Sequence, residues 1–155
     1  MHPDEGDNFE DGGPYYFPTP PEEPMIDFKT VEGPNVDFSI PVGYTDIPGI
    51  TITWAAQAGT LLVIASLTFR NLGLVDEKFN ALSLLDGAPV PPPTGTPIHV
   101  HTLHYDNITF HRRAIIAAGN HTVKLQATAL AIDEGLVMAH SALLTCIVFP
   151  PAMIA

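Results

Sequence analysis

From residue 36 to the C-terminus, apolar and polar residues alternate in short runs, and turn-forming residues separate these runs. Alternation with a period of two is typical of a β-strand with one buried face, because successive side chains point to opposite sides of a sheet. Ile50, Ile52 and Trp54 form one such apolar set, and residues 123–129 contain another. The pattern predicts eight strands, at residues 36–41, 48–56, 60–71, 78–86, 97–104, 106–117, 121–132 and 136–149.

The number and spacing of these strands predict the fold class. Eight short-to-medium strands in about 120 residues, joined by proline-rich loops, favour an all-β fold, a two-sheet antiparallel sandwich that is jelly-roll-like. An immunoglobulin-like sandwich is the alternative, but Cys146 is the only cysteine, so the paired cysteines of that fold are missing. In its apolar run, the Cys146 thiol is expected to be buried and unreactive.

The first 35 residues have a different composition. They contain seven prolines, and their nine acidic residues and single lysine carry −8 of the chain's net charge of −11. Prolines at this density exclude regular helices and central strands. We therefore expect an extended, irregular N-terminal arm at residues 1–35 and a β-sandwich domain at residues 36–155 that folds without it.

Large apolar side chains interrupt the acidic arm. A tail that only keeps a protein in solution does not need them, so we expect the arm to bind a partner protein, with a solubilising tail as the alternative. The negative charge favours a basic partner and repels nucleic acid and anionic membranes. The expected partner-binding residues of the arm are Phe9, Tyr15, Tyr16, Phe17, Met25, Ile26 and Phe28.

Two further features concern partners. No apolar stretch is long enough to span a bilayer, and residues 1–5 lack the basic and apolar regions of a signal peptide, so no membrane association is expected. Arg112 and Arg113 form the one basic cluster, which is too small for a nucleic-acid surface. These two arginines are candidate subunit contacts.

Histidines are the residues best suited to chemistry in this sequence. His99 and His101 lie two positions apart on a predicted strand, so both imidazoles leave the same face while Ile98 and Val100 face the core. No metal is expected, and this pair is the candidate site if one binds. A cupin-type site would also need a nearby glutamate, and none lies between Glu77 and Glu134. The alternative is two outward-facing histidines with no special role, and no cofactor is expected.

Nucleophilic catalysis is not indicated either. The sequence has no GxSxG motif, and its serines lie within strand patterns. Most carboxylates of the folded part occupy predicted turns, where aspartate is favoured for local hydrogen bonding. We therefore expect that the chain is not an enzyme.

Four segments resemble the small β-sandwich (jelly-roll-like) structural and decoration proteins of tailed bacteriophage particles. They are the Trp54 strand after residues 46–49, the strand at residues 61–69, the turn at residues 84–87 and the run at residues 118–126. The resemblance implies a capsid decoration or cement protein that clamps neighbouring subunits through its arm. It also implies a homotrimer, other virion proteins (above all the major capsid protein) as partners, and location in the virion after synthesis in the host cytoplasm.

A binding module is the alternative function. It would be a receptor- or glycan-binding head of a phage tail fibre, with residues 87–97 and 104–113 as recognition loops. Tyr105 and Phe110 are the aromatic residues of those loops. The scarcity of aromatic side chains there favours the structural role. In a trimeric fibre tip, three copies of the His99 and His101 pair would supply six nitrogen ligands.

Overall fold

A computed structural model describes residues 25–33, 38–73, 76–92, 94–101, 103–130 and 137–151. Ten β-strands lie within these ranges. The described residues contain no helix that is long and apolar enough to cross a membrane. The strands are β1 (Asp27–Glu32), β2 (Phe38–Ser39), β3 (Thr45–Ala56), β4 (Gly59–Asn71), β5 (Glu77–Leu85), β6 (Ala88–Pro89), β7 (Thr96–Val100), β8 (Tyr105–Ile116), β9 (Gly119–Ala129) and β10 (Val137–Phe149).

The strands form two antiparallel sheets. The first sheet has the order β1-β10-β4-β8, and β2 also pairs with β10; the second has the order β3-β9-β5-β6, and β7 also pairs with β5. Strands β1 and β2 are successive segments along one edge, as are β6 and β7 along another. With each such pair counted as one position, the sheets read 1-8-3-6 and 2-7-4-5, which is the strand order of a jelly roll. The predicted fold class is confirmed.

The core lies between the inner faces of the two sheets. The inward set of β4, from Leu61 to Phe69, and that of β9, from Val123 to Ala127, are fully buried, as their alternation predicted. The rings of Phe69 and Phe79 pack across the core with centroids 4.1 Å apart. Trp54 and Cys146 are also buried, which confirms the expectation for both.

Three of the differences between the predicted and the observed strands concern the arm, the segment after it and the histidine pair. Strand β1 was not predicted, and it lies inside the segment assigned to the arm; residues 27–32 contain no proline and pair with β10 at a sheet edge. Within the described part of the predicted strand 36–41, residues 38–39 are in a strand and residues 40–41 are not. The predicted strand 97–104 ends at Val100, because the chain turns there and His104 N donates to His101 O at 3.2 Å.

Each open edge of the sandwich has a side-chain hydrogen bond between the sheets. On one side, Trp54 Nε1 in β3 donates to Asp27 Oδ2 in β1 at 2.9 Å. On the other side, Arg112 Nη2 in β8 donates to Thr96 Oγ1 in β7 at 2.6 Å. Hydrogen bonds are directional, so these two contacts help to fix the position of the edge strands.

Candidate functional site

The described end of the arm is exposed but firmly attached. Met25, Ile26 and Phe28 are 75%, 48% and 57% exposed. Strand β1 pairs with β10 along its whole length, and Gln57 Nε2 donates to the carbonyl oxygen of Met25. Three of the expected partner-binding residues therefore project from a fixed edge. The other four, Phe9, Tyr15, Tyr16 and Phe17, lie outside the described residues.

One half of the outer face of the first sheet is apolar, from β1 at this edge to β8 at the opposite edge. We call this part of the face the apolar band, and Ile115, 89% exposed, is its most accessible side chain. Its members on β4, β8 and β10 are outward neighbours of buried residues, and Phe28 of β1 is the cross-strand partner of Ile147. The residues of the apolar band are Phe28, Leu62, Ile64, Ile115 and Ile147.

The opposite half of the same face is polar. A groove of about 220 Å³, here called the polar groove, is lined by Glu32, Gly33, Ser66, Thr68, Asn107, Ser141, Ala142 and Leu143. Asn107 Nδ2 donates to Thr68 Oγ1 at 2.9 Å, so the amide is held in place across β4 and β8. Beside it on β8, the exposed Tyr105 ring lies under the Arg70 guanidinium, 5.4 Å from ring centroid to Cζ.

Residues 104–113, expected as a recognition loop under the alternative function, lie mostly in strand β8, which agrees with the strand predicted at residues 106–117 and corrects the loop expectation. Phe110 points into the core and is buried, whereas Tyr105 is exposed on the sheet face. The cause is strand alternation, since even-numbered residues of β8 face inward and odd-numbered residues face outward. The aromatic residue available for binding is therefore on a rigid strand rather than on a loop.

The two arginines of the predicted subunit contact have different surroundings. Arg112 faces the second sheet, where it binds Thr96 and lies over the Phe110 ring at 5.2 Å. Arg113 is exposed on the outer face, opposite Leu62 of the apolar band. Arg113 is thus the more accessible of the two for a neighbouring chain, and the subunit contact stays a prediction.

His99 and His101 leave the same outer face of the second sheet, as predicted, while Ile98 and Val100 are buried. Their ring centroids are 4.8 Å apart. Asp76, just before β5, joins them: its Oδ2 lies 3.6 Å from His99 Nε2 and 3.3 Å from His101 Nδ1. We call these three residues the histidine–aspartate cluster. Asp76 could not be assigned to this group from the sequence, because only the pairing of β5 with β7 brings it beside residues 99–101.

Buried and half-buried polar groups hold the backbone of the cluster. Asn71, which is fully buried, donates from Nδ2 to the carbonyl oxygen of Val100 at 3.1 Å. Asp106 Oδ2 accepts a hydrogen bond from His101 N at 3.2 Å. The carbonyl oxygen and the N–H of the peptide group between Val100 and His101 are therefore both hydrogen-bonded to side chains of the fold.

A second histidine–carboxylate pair lies at the β5–β6 turn. His121 Nδ1 is 2.7 Å from Asp86 Oδ2, and His121 Nε2 is 2.9 Å from the carbonyl oxygen of Ala117. Both acceptors favour a protonated ring, and they raise the pKa of His121 above its usual 6.5. The backbone N–H of Thr122 and then His121 lower the pKa of Asp86 below 3.8. This pair joins β9 to the turn at residues 86–87 and is a structural contact.

The sequence matches no protein-family model and no curated protein.

Among solved structures, a structure of the infectious bursal disease virus Gx strain is similar at 12% identity and a TM-score of 0.49, over 83% of this chain and 34% of the other. Latent PorU from Porphyromonas gingivalis is similar at 12% identity and a TM-score of 0.47, over 80% of this chain and 13% of the other. A family 35 carbohydrate-binding module of Cellvibrio japonicus Abf62 is similar at 13% identity and a TM-score of 0.36, over 81% and 99%. This chain spans about a third or less of the first two structures. The jelly-roll assignment rests on the strand order of this chain itself.

Proposed function

We propose that this chain is a non-enzymatic structural protein of a viral particle, a decoration or cement protein that grips a neighbouring protein through its N-terminal arm. The observation that carries the proposal is that residues 25–28, the described end of the arm, have exposed apolar side chains and are also anchored to the sandwich. Apolar surface lies exposed at the N-terminal end of β1, on the side chains of Met25, Ile26 and Phe28. A clamp needs this combination, because surface that binds a partner must be accessible while its attachment must resist being pulled away.

The charge of the arm indicates what kind of surface it would grip. Residues 1–24 contain seven acidic residues and neither lysine nor arginine. An extended acidic segment with aromatic side chains gains its order by binding, and it favours a basic surface that has apolar pockets. The resemblance to small sandwich proteins of tailed bacteriophages supports a virion protein, above all the major capsid protein, as the owner of that surface.

The proposal includes a homotrimer. The apolar band and the exposed Arg113 lie together on the outer face of the first sheet, where a second copy of the chain could cover them. Light scattering after size exclusion tests this part directly. A mass of three chains supports it, and a monomer at micromolar concentration contradicts it.

The arm is tested by co-sedimentation with purified particles that lack this chain. Full-length protein should sediment with the particles, and a variant without residues 1–24 should not, although it remains folded by circular dichroism. Tyr105→Ala is the matched control, because it removes an aromatic side chain from the sheet face and leaves the arm unchanged. If the truncated protein sediments as well as the full chain, residues 1–24 are not the clamp.

A second candidate function is glycan binding at the polar groove, and the exposed Tyr105 favours it. Sugar rings stack their C–H faces on aromatic side chains, and their hydroxyl groups pair with fixed amides, hydroxyls and carboxylates. Tyr105, Asn107 and Glu32 supply these groups on one face. A glycan array probed with the full chain and with Tyr105→Ala tests it. Loss of a specific glycan signal in the variant supports this function, and an array without signal contradicts it.

A further inference from the structure

The histidine–aspartate cluster has the chemistry of a transition-metal site. Two imidazole nitrogens and one carboxylate oxygen are ligands that Zn²⁺ and neighbouring divalent transition metals bind, whereas Ca²⁺ and Mg²⁺ prefer oxygen ligands alone. All three ligand atoms lie within 4.8 Å of one another, and all three residues are exposed. A metal ion can therefore reach the cluster from solvent without any movement of the core.

The distances in the cluster fit one small ion. Tetrahedral coordination at about 2.0–2.1 Å places two ligand atoms about 3.3–3.4 Å apart. Asp76 Oδ2 lies 3.3 Å from His101 Nδ1 and 3.6 Å from His99 Nε2, so both distances are near the required value. Small rotations of exposed side chains are enough to bring the two imidazole nitrogens to the same separation.

The backbone of the cluster is set before any metal binds. Asn71 holds the carbonyl oxygen of Val100, and Asp106 holds the amide of His101. A preorganised ligand set loses less conformational entropy on binding than a mobile one. The carboxylates of Asp76 and Asp106 attract a cation to the site. The ammonium group of Lys78, which lies opposite His99 on β5, repels a cation, but this side chain is exposed and can turn away.

We propose that Asp76, His99 and His101 bind one divalent transition-metal ion of the zinc class. His99 would bind through Nε2, His101 through Nδ1 and Asp76 through Oδ2, and water or a group from a partner would complete the coordination. The ion would connect the end of β7 to the residue before β5. It would thereby stabilise an edge of the second sheet, independently of the arm and of the polar groove.

The test is isothermal titration calorimetry of the tag-free full chain with zinc chloride alone, at a pH of about 7.5, where unperturbed histidine is mostly neutral. We expect one ion per chain and a rise in melting temperature with added zinc. Zinc binding should weaken at least about tenfold in each of the variants His99→Gln, His101→Gln and Asp76→Asn. Even the loss of a group that only hydrogen-bonds to a metal ligand has an effect of this size. His111→Gln, an exposed histidine on the other sheet, should bind zinc like the unchanged chain.

Several outcomes would overturn the proposal. One is a titration without binding heat and without a shift in melting temperature at millimolar zinc. Another is unchanged affinity in folded His99→Gln and Asp76→Asn, which would place the zinc on other histidines. A third is equal affinity for calcium chloride, which would contradict the ligand chemistry. Circular dichroism of each variant separates loss of the site from loss of the fold.

Discussion

Trp54 Nε1 donates a hydrogen bond to Asp27 Oδ2 at 2.9 Å, and this contact joins the first strand of one sheet to the opposite sheet. Trp54 is buried, so its N–H cannot turn to water if the acceptor is lost. Asp27 lies within the segment whose composition predicted an arm. The contact therefore places residue 27 within the sandwich, nine residues before the boundary predicted at residue 36.

Replacing Asp27 should destabilise the domain. A hydrogen bond to a charged acceptor contributes about 1.5–3 kcal/mol, and Asp27 is partly exposed, so we expect Asp27→Ala to lower the free energy of unfolding by about 1–2 kcal/mol. Asp27→Asn keeps an acceptor oxygen and should lose less than half as much. Urea unfolding followed by circular dichroism measures both. Lys29→Ala is the control: its ion pair with Asp27 is long and exposed, and such pairs contribute little.

The indole of Trp54 is core, so Trp54→Ala should have a larger effect. Removing a buried aromatic side chain costs about 3–5 kcal/mol, from lost transfer energy and from the cavity that remains. Ile115→Ala, at a side chain that is almost fully exposed, should change the free energy of unfolding little. Similar urea midpoints for these two variants would contradict the core position of Trp54.

Two N-terminal truncations should behave differently. Removal of residues 1–24 keeps β1 and the Asp27 contact, so the melting temperature should stay close to that of the full chain. Removal of residues 1–35 deletes β1, exposes the edge of β10 and leaves the Trp54 N–H without Asp27. We expect a loss of about 2–3 kcal/mol, from one hydrogen bond and the half-buried Val31. Equal melting temperatures would mean that β1 adds no stability.

The His121–Asp86 pair should make stability depend on pH. The pKa of His121 is raised, so its contribution is complete below the unfolded value of 6.5 and is lost as the pH rises through the folded value. The pKa of Asp86 is lowered, so its contribution is complete above 3.8 and is lost as the pH falls through the folded value. Stabilisation by the pair is therefore greatest between these two ordinary values.

Urea midpoints on the two sides of this window test the pair. When the pH rises from about 5.5 to about 8.5, the full chain should lose more stability than His121→Gln. The reason is that the histidine at position 121 loses a proton in this range, whereas a glutamine there has none to lose. His111→Gln is the matched control and should follow the unchanged chain. An equal loss in His121→Gln would show that the pair does not stabilise the fold.

Cys146 should be unreactive in the native protein. Burial raises the pKa of its thiol to about 12, so almost no thiolate is present at neutral pH, and the side chain is covered by the core. A thiol reagent such as Ellman's reagent should modify the chain only in denaturant. Rapid modification without denaturant would mean that β10 opens readily from the sheet.

The sequence by itself determined which residues face the core along each long strand. Alternation is a local property, since every second side chain of a strand points to the same side, so the buried sets in β4 and β9 follow from the order of residues alone. His99 and His101 were placed on one exposed face by the same argument. The burial of Phe110 also follows from alternation in the strand predicted at residues 106–117, and the extension of that strand to Tyr105 accounts for the exposure of Tyr105.

Tertiary structure decided what depends on distant pairing. Strand β1 has no strong alternation of its own and becomes a strand because β10, more than a hundred residues later, offers a free edge and Trp54 binds Asp27. Asp76 joins His99 and His101 because β5 pairs with β7. Hydrogen bonds between strands form between backbone groups that are the same in every residue, so the sequence of one strand does not specify its neighbour. The packing of both sheets around one core makes that choice.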